Sequence, residues 1–359
     1  MGKNWEISKN KKEEFMKAAF LVGSRTFELR EIEVPKAKPG GIVVDVKACG
    51  VCGSDLRRWK EGPAGEPVVT GHEASGIVVE VGKDVSKYKV GDIVAIAPDI
   101  HCGECFYCRK GLYNLCDKLH FLGITSGYNG GLAEFIELTE EVLVNGIVHK
   151  VPEGLSFDHA AIAEPCTSVL ACHDRIGTTI NDLVVVMGAG PIGCIHTAVA
   201  QSRGARVVIS EPSETRRELA QPFNPTAIVN PFEEDLDAVV RKFTDGRGAD
   251  IVICANPVAA TQTQAVEISR KRGKVILFGG LPKADPTTNF DGNKIHYEEI
   301  EVIGSFSYHP SYHAFALEAL HRGLIPAEKL ITANYPLNEV DSAFKIAASG
   351  KALKVIINP

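Results

Sequence analysis

The sequence predicts an α/β protein with two unlike halves, a β-rich barrel-like domain and a doubly wound parallel sheet. Before residue 165, short β-branched runs such as Gly41–Val46 and Ile77–Val81 are separated by glycine and proline, which is typical of a β-rich domain. After that point, apolar runs such as Leu183–Gly188 alternate with helix-like segments such as Ile192–Gly204. This alternation indicates parallel strands joined by helices.

Other segments extend the same two patterns. Further strands are predicted at Lys17–Val22, Asp92–Ile96, Ala133–Leu138, Arg206–Glu211, Asp250–Ala255 and Lys274–Gly280, and further helices at Glu214–Gln221 and Ala260–Arg272. From about Tyr308 a helix, Ser311–Arg322, and a closing strand, Ala352–Ile357, predict a return to the first domain. We therefore expect residues 16–165 and 309–359 to form the β-rich domain, 166–308 the parallel-sheet domain, and 1–15 an N-terminal extension.

Composition excludes several classes of partner. The chain has 359 residues, of which 45% are apolar and 23% charged, so it can bury a large core. A net charge of −6 gives no basic surface for nucleic acid or an anionic membrane, and we expect neither partner. The N-terminal stretch lacks the apolar core of a signal peptide. Ten cysteines that cluster at metal spacing favour reduced thiols and a cytoplasmic protein.

One cysteine cluster has the spacing of a zinc knuckle. Four thiolates within fifteen residues can close a tetrahedral zinc shell, and such a closed site is structural. The four residues are Cys102, Cys105, Cys108 and Cys116. The alternative is a disulfide cluster or a nucleic-acid-binding ribbon. The expected reducing compartment disfavours disulfides, and the negative net charge disfavours nucleic-acid binding.

A second, dispersed set of ligand types indicates a catalytic zinc. Cys52 in GVCGSD precedes His72 and Glu73 in GHEASG, and Glu164 follows in AEPCTSV. Ligands gathered from separate loops leave a position open for substrate. The alternative interpretation of His72 is a hydrogen-bonded histidine of the core, and the alternative for Glu164 is a cap on the following helix.

A glycine-rich turn predicts a dinucleotide site. Gly188, Gly190 and Gly193 follow the apolar run LVVVM and open a predicted helix, which places phosphates at the helix N-terminus. Glu211 ends the next strand, where a carboxylate accepts ribose hydroxyls and repels a 2′-phosphate, so NAD is favoured over NADP. Arg216 and Arg217 weaken this preference because a nearby arginine accommodates that phosphate.

Together these motifs resemble the zinc-dependent medium-chain dehydrogenases, closest to the polyol (sorbitol-type) branch. GVCGSD, GHEASG, the four-cysteine cluster, the Glu-Pro pair and GAGPIG occur in family order from about Met16 onward. The resemblance implies a GroES-like catalytic domain, a Rossmann cofactor domain, one catalytic and one structural zinc, and a homodimer or homotetramer. It implies hydride transfer from a secondary alcohol of a polyol, cyclitol or sugar alcohol to NAD.

The resemblance also assigns roles. Cys52 and His72 are implied as zinc ligands, with Glu73 or Glu164 supplying the carboxylate. Ser54 is implied as the first hydroxyl of a proton relay, although Ser-Asp is also an ordinary helix N-cap sequence. Asp55 is implied to orient the histidine. The implied cofactor contacts are Gly188, Gly190, Ile192, Gly193, Glu211, Arg216, Gly279, Gly280, Leu281, Ser305 and Ser307.

Two departures from the family concern the substrate. Many relatives carry histidine where this chain has Arg57, followed by Arg58, and arginine cannot accept a proton. Sorbitol-type enzymes carry an Arg-Tyr pair where this chain has Ser307 and Tyr308, which places sorbitol itself in doubt. The two arginines, Arg58 foremost, and Tyr308 are candidate substrate contacts; alternatively, the arginines are solvated or lie beside the cofactor.

Other functions fit the same motifs. A phosphorylated polyol or a 3-hydroxy amino acid such as threonine is the alternative substrate. A non-catalytic NAD(P)-binding sensor or structural relative is the rival class, against which the retained ligand residues argue.

Overall fold

The structure is a computed structural model that describes residues 14–63 and 65–359. Residues 1–13 of the predicted extension lie outside the described residues, and Phe15 already begins the first strand. Among the described residues, no helix is both long enough and apolar enough to cross a membrane.

The N-terminal part is rich in short strands. Its elements are β1 (Phe15–Gly23), β2 (Thr26–Glu33), β3 (Ile42–Gly50), α1 (Gly53–Glu61), β4 (Val68–Val69), β5 (Glu73–Val81), β6 (Ile93–Ala97), β7 (Asp99–Ile100), β8 (His120–Phe121), β9 (Phe135–Leu138), α2 (Glu140–Asn145), β10 (Ile147–Lys150), α3 (Phe157–Ala161) and α4 (Ala163–Ile176). β1 pairs with β2 and β4, and β7 pairs with β8. β3 is buried along most of its length, since neighbouring strands lie on both of its sides.

The middle part is a six-stranded parallel sheet with helical connections. Its elements are β11 (Leu183–Met187), α5 (Pro191–Ser202), β12 (Arg206–Ser210), α6 (Glu214–Ala220), β13 (Ala227–Val229), α7 (Leu236–Phe243), β14 (Ala249–Cys254), α8 (Ala259–Ile268), β15 (Ser269–Leu277), α9 (Gly292–Glu298) and β16 (Glu301–Gly304). The strand order is β13-β12-β11-β14-β15-β16. The order reverses between β11 and β14, the place at which such sheets bind dinucleotides.

The C-terminal part returns to the first sheet. Its elements are α10 (Ser311–His321), α11 (Ala327–Leu330), β17 (Ile331–Pro336), α12 (Val340–Ser349) and β18 (Lys354–Asn358). β18 pairs antiparallel with the end of β3 and parallel with β17. The seven-stranded sheet therefore runs β10-β6-β5-β3-β18-β17, with β9 also on β3.

One predicted helix is too long. The segment predicted as the helix Ala260–Arg272 leaves the helical conformation after Ile268, and Ser269–Leu277 is a strand. Ser269 has extended backbone angles and pairs with Ala249 of β14. The strand pairing overrides the helix propensity of the basic residues that follow.

Candidate active site

The cysteine cluster forms a lobe between β7 and β8. The sulfur atoms of Cys102, Cys105, Cys108 and Cys116 lie within 4.8 Å of one another, and none forms a disulfide. Backbone N–H groups point at the sulfurs: Cys102 donates to Cys116 at 3.2 Å, and Cys105 donates to Cys102 at 3.4 Å. The N–H of Cys108 lowers the pKa of Cys105 to about 6. Four converging sulfurs held in this way fit a closed tetrahedral zinc shell.

Apart from Cys52, the other cysteines occupy the interior, as expected of small buried residues. They are Cys49, Cys166, Cys172, Cys194 and Cys254.

The dispersed ligand residues meet because β3 and β5 are neighbouring strands. Gly50 at the end of β3 pairs with Glu73 at the start of β5, so the loop carrying Cys52 adjoins His72. One ligand atom from each of Cys52, His72 and Glu73 lies within 4.8 Å of the others. Cys52 is the N-cap residue of α1, so Ser54 is not the cap but the second residue of the helix.

His72 lies between a hydroxyl and a carboxylate. Its Nε2 is 3.3 Å from Ser54 Oγ, and its Nδ1 is 3.2 Å from Asp55 Oδ1. The alignment of the second contact is not that of a hydrogen bond, so both atoms are buried without a hydrogen-bond partner. Burial opposes protonation of His72, but the negative charges of Asp55 and Cys52 outweigh it and raise its pKa well above the usual value. The same negative surroundings and orphaned atoms fit a bound cation.

Lys354, which the sequence did not single out, forms a buried ion pair with Glu73. Its Nζ lies 2.7 and 2.8 Å from the two carboxylate oxygens and 3.2 Å from the carbonyl oxygen of Val51. Glu73 is fully buried and Lys354 is 3% exposed. Space for the carboxylate depends on Gly50, where a Cβ would overlap Glu73 Oε2. In the sequence, the signal for this buried ion pair was a single lysine at the start of the apolar run KVIIN.

Glu164 lies in the first turn of α4 and faces the end of the parallel sheet. It accepts a hydrogen bond from the hydroxyl of Tyr308 at 2.7 Å. Burial raises the pKa of Glu164 to about 7, His72 opposes this shift, and Glu73 adds to it. The three-ligand group described above contains Glu73 and not Glu164.

Asp99 is a further buried carboxylate, and the sequence did not single it out. The hydroxyl of Ser307, predicted as a cofactor contact, donates a hydrogen bond to Asp99 Oδ2. Burial raises the pKa of Asp99 to about 6, while Ser307 and His72 oppose the shift. Ser307 has a left-handed backbone, with φ of 48°, directly before Tyr308. The segment after β16 thus contacts two carboxylates of the N-terminal part.

The two arginines of α1 have different surroundings. Arg57 is exposed. Arg58 is half-buried and donates from Nη1 to the carbonyl oxygen of Ile124, while its Nε is buried without a hydrogen-bond partner.

The glycine turn has the geometry of a phosphate-binding loop. Gly190 is the N-cap residue of α5, and no other group comes within 4 Å of where its Cβ would lie. A Cβ on Gly193 would overlap the carbonyl oxygen of Gly188, so helix and turn approach closely only with glycine there. Ile192 is partly buried in the first turn of α5. The open N-terminus of α5 can receive an anion.

Glu211 links this turn to the next strand. One carboxylate oxygen accepts the N–H of Ala189 at 2.8 Å, and the other accepts the N–H of Ser213 at 2.9 Å. Arg217 donates to the carbonyl oxygens of Glu211 and Pro212. The guanidinium of Arg216 instead lies against Gly350, at the end of α12.

The remaining predicted cofactor contacts follow β15 and β16. Gly279 donates its N–H to Cys254 at the end of β14, and Ser305 donates its N–H to Leu277. Gly280 has open space where a Cβ would lie, and Leu281 is partly buried. These residues therefore lie at the carboxyl ends of β15 and β16, the end of the sheet at which parallel sheets bind dinucleotides, and Gly279 reaches β14 beside the reversal of strand order.

Comparisons with known proteins agree with this geometry. Residues 38–153 match the alcohol dehydrogenase GroES-like domain, and residues 191–322 match the zinc-binding dehydrogenase domain. The chain therefore belongs to the zinc-dependent medium-chain dehydrogenases. Within that family it belongs to the polyol dehydrogenase branch, and the predicted α/β fold with GroES-like and Rossmann parts is confirmed.

Named relatives cover nearly the whole chain. A D-arabitol-phosphate dehydrogenase from Enterococcus avium is 36% identical over 91% of this chain and 92% of its own length. A sorbitol dehydrogenase from Halalkalibacterium halodurans is 36% identical over 96% of this chain and 99% of its own. A solved zinc-binding dehydrogenase from Sinorhizobium meliloti 1021, bound to NADP, superposes with a TM-score of 0.88 at 30% identity, covering 97% of this chain and 100% of its own.

The first prediction concerns the buried ion pair. In the metal-free protein, replacing Lys354 by Met leaves the Glu73 carboxylate buried without its partner, and we expect the free energy of unfolding to fall by about 3–5 kcal/mol. Urea denaturation followed by circular dichroism measures it. Lys351→Met, a change at an exposed lysine three residues away, is the matched control and should alter stability little. A loss below about 1 kcal/mol for Lys354→Met would contradict the role given to the pair.

The second prediction concerns cofactor choice. Glu211→Ala removes the carboxylate that favours a free ribose 2′-hydroxyl, so the NAD-to-NADP ratio of kcat/KM should fall at least tenfold, or about 1.4 kcal/mol. Steady-state kinetics with both cofactors measures this ratio. Glu214→Ala, at an exposed residue of the next helix, should leave it unchanged. A wild-type preference for NADP would refute the assignment.

Proposed function

We propose that the protein oxidises a secondary alcohol of a polyol and transfers the hydride to NAD. The observation that carries this proposal is the meeting of Cys52, His72 and Glu73 beneath an exposed Ser54, beside the end of the parallel sheet. The relatives named for sorbitol and arabitol phosphate support the substrate class. A cyclitol or sugar alcohol belongs to the same class.

We assign the catalytic zinc to Cys52, His72 and Glu73. Glu73 is favoured over Glu164 as the carboxylate because it alone falls in the three-ligand group. Cys102, Cys105, Cys108 and Cys116 would hold the structural zinc. When bound, the catalytic zinc polarises the alcohol oxygen and the nicotinamide accepts the hydride.

The chain's own residues bind the alcohol and carry away its proton. Ser54 Oγ is placed beside His72 Nε2 and is exposed, so the hydroxyl proton passes from Ser54 to water without a further relay residue. Asp55 orients His72 through Nδ1. Glu164 and Asp99, each with one oxygen already bonded to a hydroxyl of the segment after β16, offer their remaining acceptor sites to neighbouring hydroxyls of a polyol.

The alternatives have less support. The reported relatives are named for a polyol and a polyol phosphate, not for a 3-hydroxy amino acid. A non-catalytic sensor would need only the glycine turn. This chain has the open glycine turn together with the three-ligand group and the neighbouring Ser54, which favours catalysis. The solved neighbour holds NADP, but the preference for NAD here rests on Glu211 and its position beside the glycine turn.

Organisation and location are also part of the proposal. The domain boundaries, 16–165 with 309–359 and 166–308, remain a prediction. β16 is an edge strand of the parallel sheet, and Phe306 beside it is 59% exposed, which supports edge-to-edge pairing in a homodimer or homotetramer. Sedimentation velocity measures this, and a monomer would contradict it. Ten free thiols favour the reducing cytoplasm.

The third prediction tests the catalytic assignment. Zinc-loaded wild-type protein should reduce NAD with a polyol from a panel of polyols, inositols, polyol phosphates and threonine. Cys52→Ser should abolish this turnover and leave the circular dichroism spectrum unchanged, because the residue lies at a loop end rather than in the core. Cys172→Ser, a change at a buried thiol of α4 outside the ligand groups, is the control and should retain activity. Full activity of Cys52→Ser would refute the site.

A further inference from the structure

Two arginines flank Ser54 on the surface of α1. Arg57 and Arg58 lie three and four residues after Ser54, and side chains at these spacings begin about 5–6 Å apart on one helix face. Ser54 Oγ itself is 3.3 Å from His72 Nε2. Both arginine side chains therefore start within one helical turn of the catalytic group.

These arginines carry uncompensated charge. Among the residues that the structure describes, no carboxylate oxygen lies within 4.0 Å of either guanidinium. Of the nearby acidic groups, Glu73 pairs with Lys354, and Asp55 accepts the N–H of Cys52 and faces His72. Glu61, at the exposed end of α1, forms no ion pair with either arginine. Two positive charges thus remain at the edge of the site without a protein counter-ion.

The two arginines have different surroundings and therefore different roles. The bond from Arg58 to Ile124 fastens α1 to the loop between β8 and β9. That loop packs against Gly71, next to His72, because Gly131 donates its N–H to the carbonyl oxygen of Gly71. Arg58 therefore positions the loop, and its guanidinium, which is always charged, adds positive charge to this end of the site. Arg57 is exposed and free to turn toward a ligand.

We propose that Arg57, with Arg58 behind it, binds a phosphate monoester carried by the substrate, so that the substrate is a polyol phosphate. This inference rests on the proposed polyol oxidation and names its substrate class. Two guanidinium charges without a carboxylate partner match a dianion, whereas a carboxylate needs only one. Arg57 makes the direct contact, because arginine binds phosphate through paired hydrogen bonds, and Arg58 contributes its charge. The carbinol end then lies at Ser54 and the charged end at the exposed face of α1.

Arg57 and not Arg58 is the contact residue in this arrangement. The sequence pointed first to Arg58, but its guanidinium already serves Ile124. Arg58 is a positioning residue, and its replacement should impair every substrate alike.

The test compares matched pairs of substrates on the zinc-loaded enzyme. Wild type should oxidise D-arabitol 5-phosphate and sorbitol 6-phosphate with kcat/KM at least about tenfold above D-arabitol and sorbitol. Arg57→Ala should lower kcat/KM for the phosphates by about ten- to a hundredfold and change the neutral polyols less than about twofold. Arg57→Lys should recover part of the loss. Lys60→Ala, at an exposed cation one turn further along α1, should change neither class.

Calorimetry separates binding from turnover. D-arabitol 5-phosphate titrated into the enzyme with NADH should bind wild type about ten- to a hundredfold more tightly than Arg57→Ala. Such binding without any NAD reduction would support the phosphate subsite and refute the proposed oxidation. Efficient oxidation of neutral polyols with no gain from phosphate, or equal losses for both classes in Arg57→Ala, would overturn the subsite and leave the oxidation standing. A sugar acid outperforming the phosphates would also overturn it.

Discussion

The active site depends on the buried ion pair between Lys354 and Glu73. This pair joins β18, at the C-terminal end of the chain, to β5 in the N-terminal part. Lys354 is in the last strand, yet its ammonium reaches both oxygens of Glu73 and the carbonyl oxygen of Val51, which precedes Cys52. The N–H of Val51 donates in turn to Val355. Both ligand-bearing loops are thus fixed to β18. Because a buried carboxylate is costly without its partner, the metal loops and the C-terminal strand must fold together.

A second constraint joins the cofactor sheet to the metal group. The segment that leaves β16 places Ser307 on Asp99 and Tyr308 on Glu164, and both carboxylates belong to the N-terminal part. These bonds fix the end of the cofactor sheet relative to the metal loops. Hydride transfer requires the nicotinamide and the carbinol carbon in contact, so a displacement of this segment would disturb both.

Local sequence motifs predict much of the candidate site. The four-cysteine lobe, the glycine turn, Cys52 and His72 are recognisable because their chemistry needs fixed residue types at fixed spacing. Lys354 and Asp99 are not, because their partners are brought to them by sheet pairing across long stretches of chain. The helix boundary at Ile268 was missed for the same reason, since pairing with β14 decides it. The different roles of Arg57 and Arg58 could not be predicted from the sequence, because adjacent residues of one helix face different neighbours.

In the proposed arrangement, one chain builds two zinc sites of different composition. X-ray absorption at the zinc edge tests this most directly, because it counts ligand types per metal. Averaging four sulfurs at the cysteine lobe with one at the Cys52 group gives about 2.5 sulfur and 1.5 nitrogen or oxygen ligands per zinc, for two zincs per chain. An average near four sulfurs with a single zinc per chain would contradict the account.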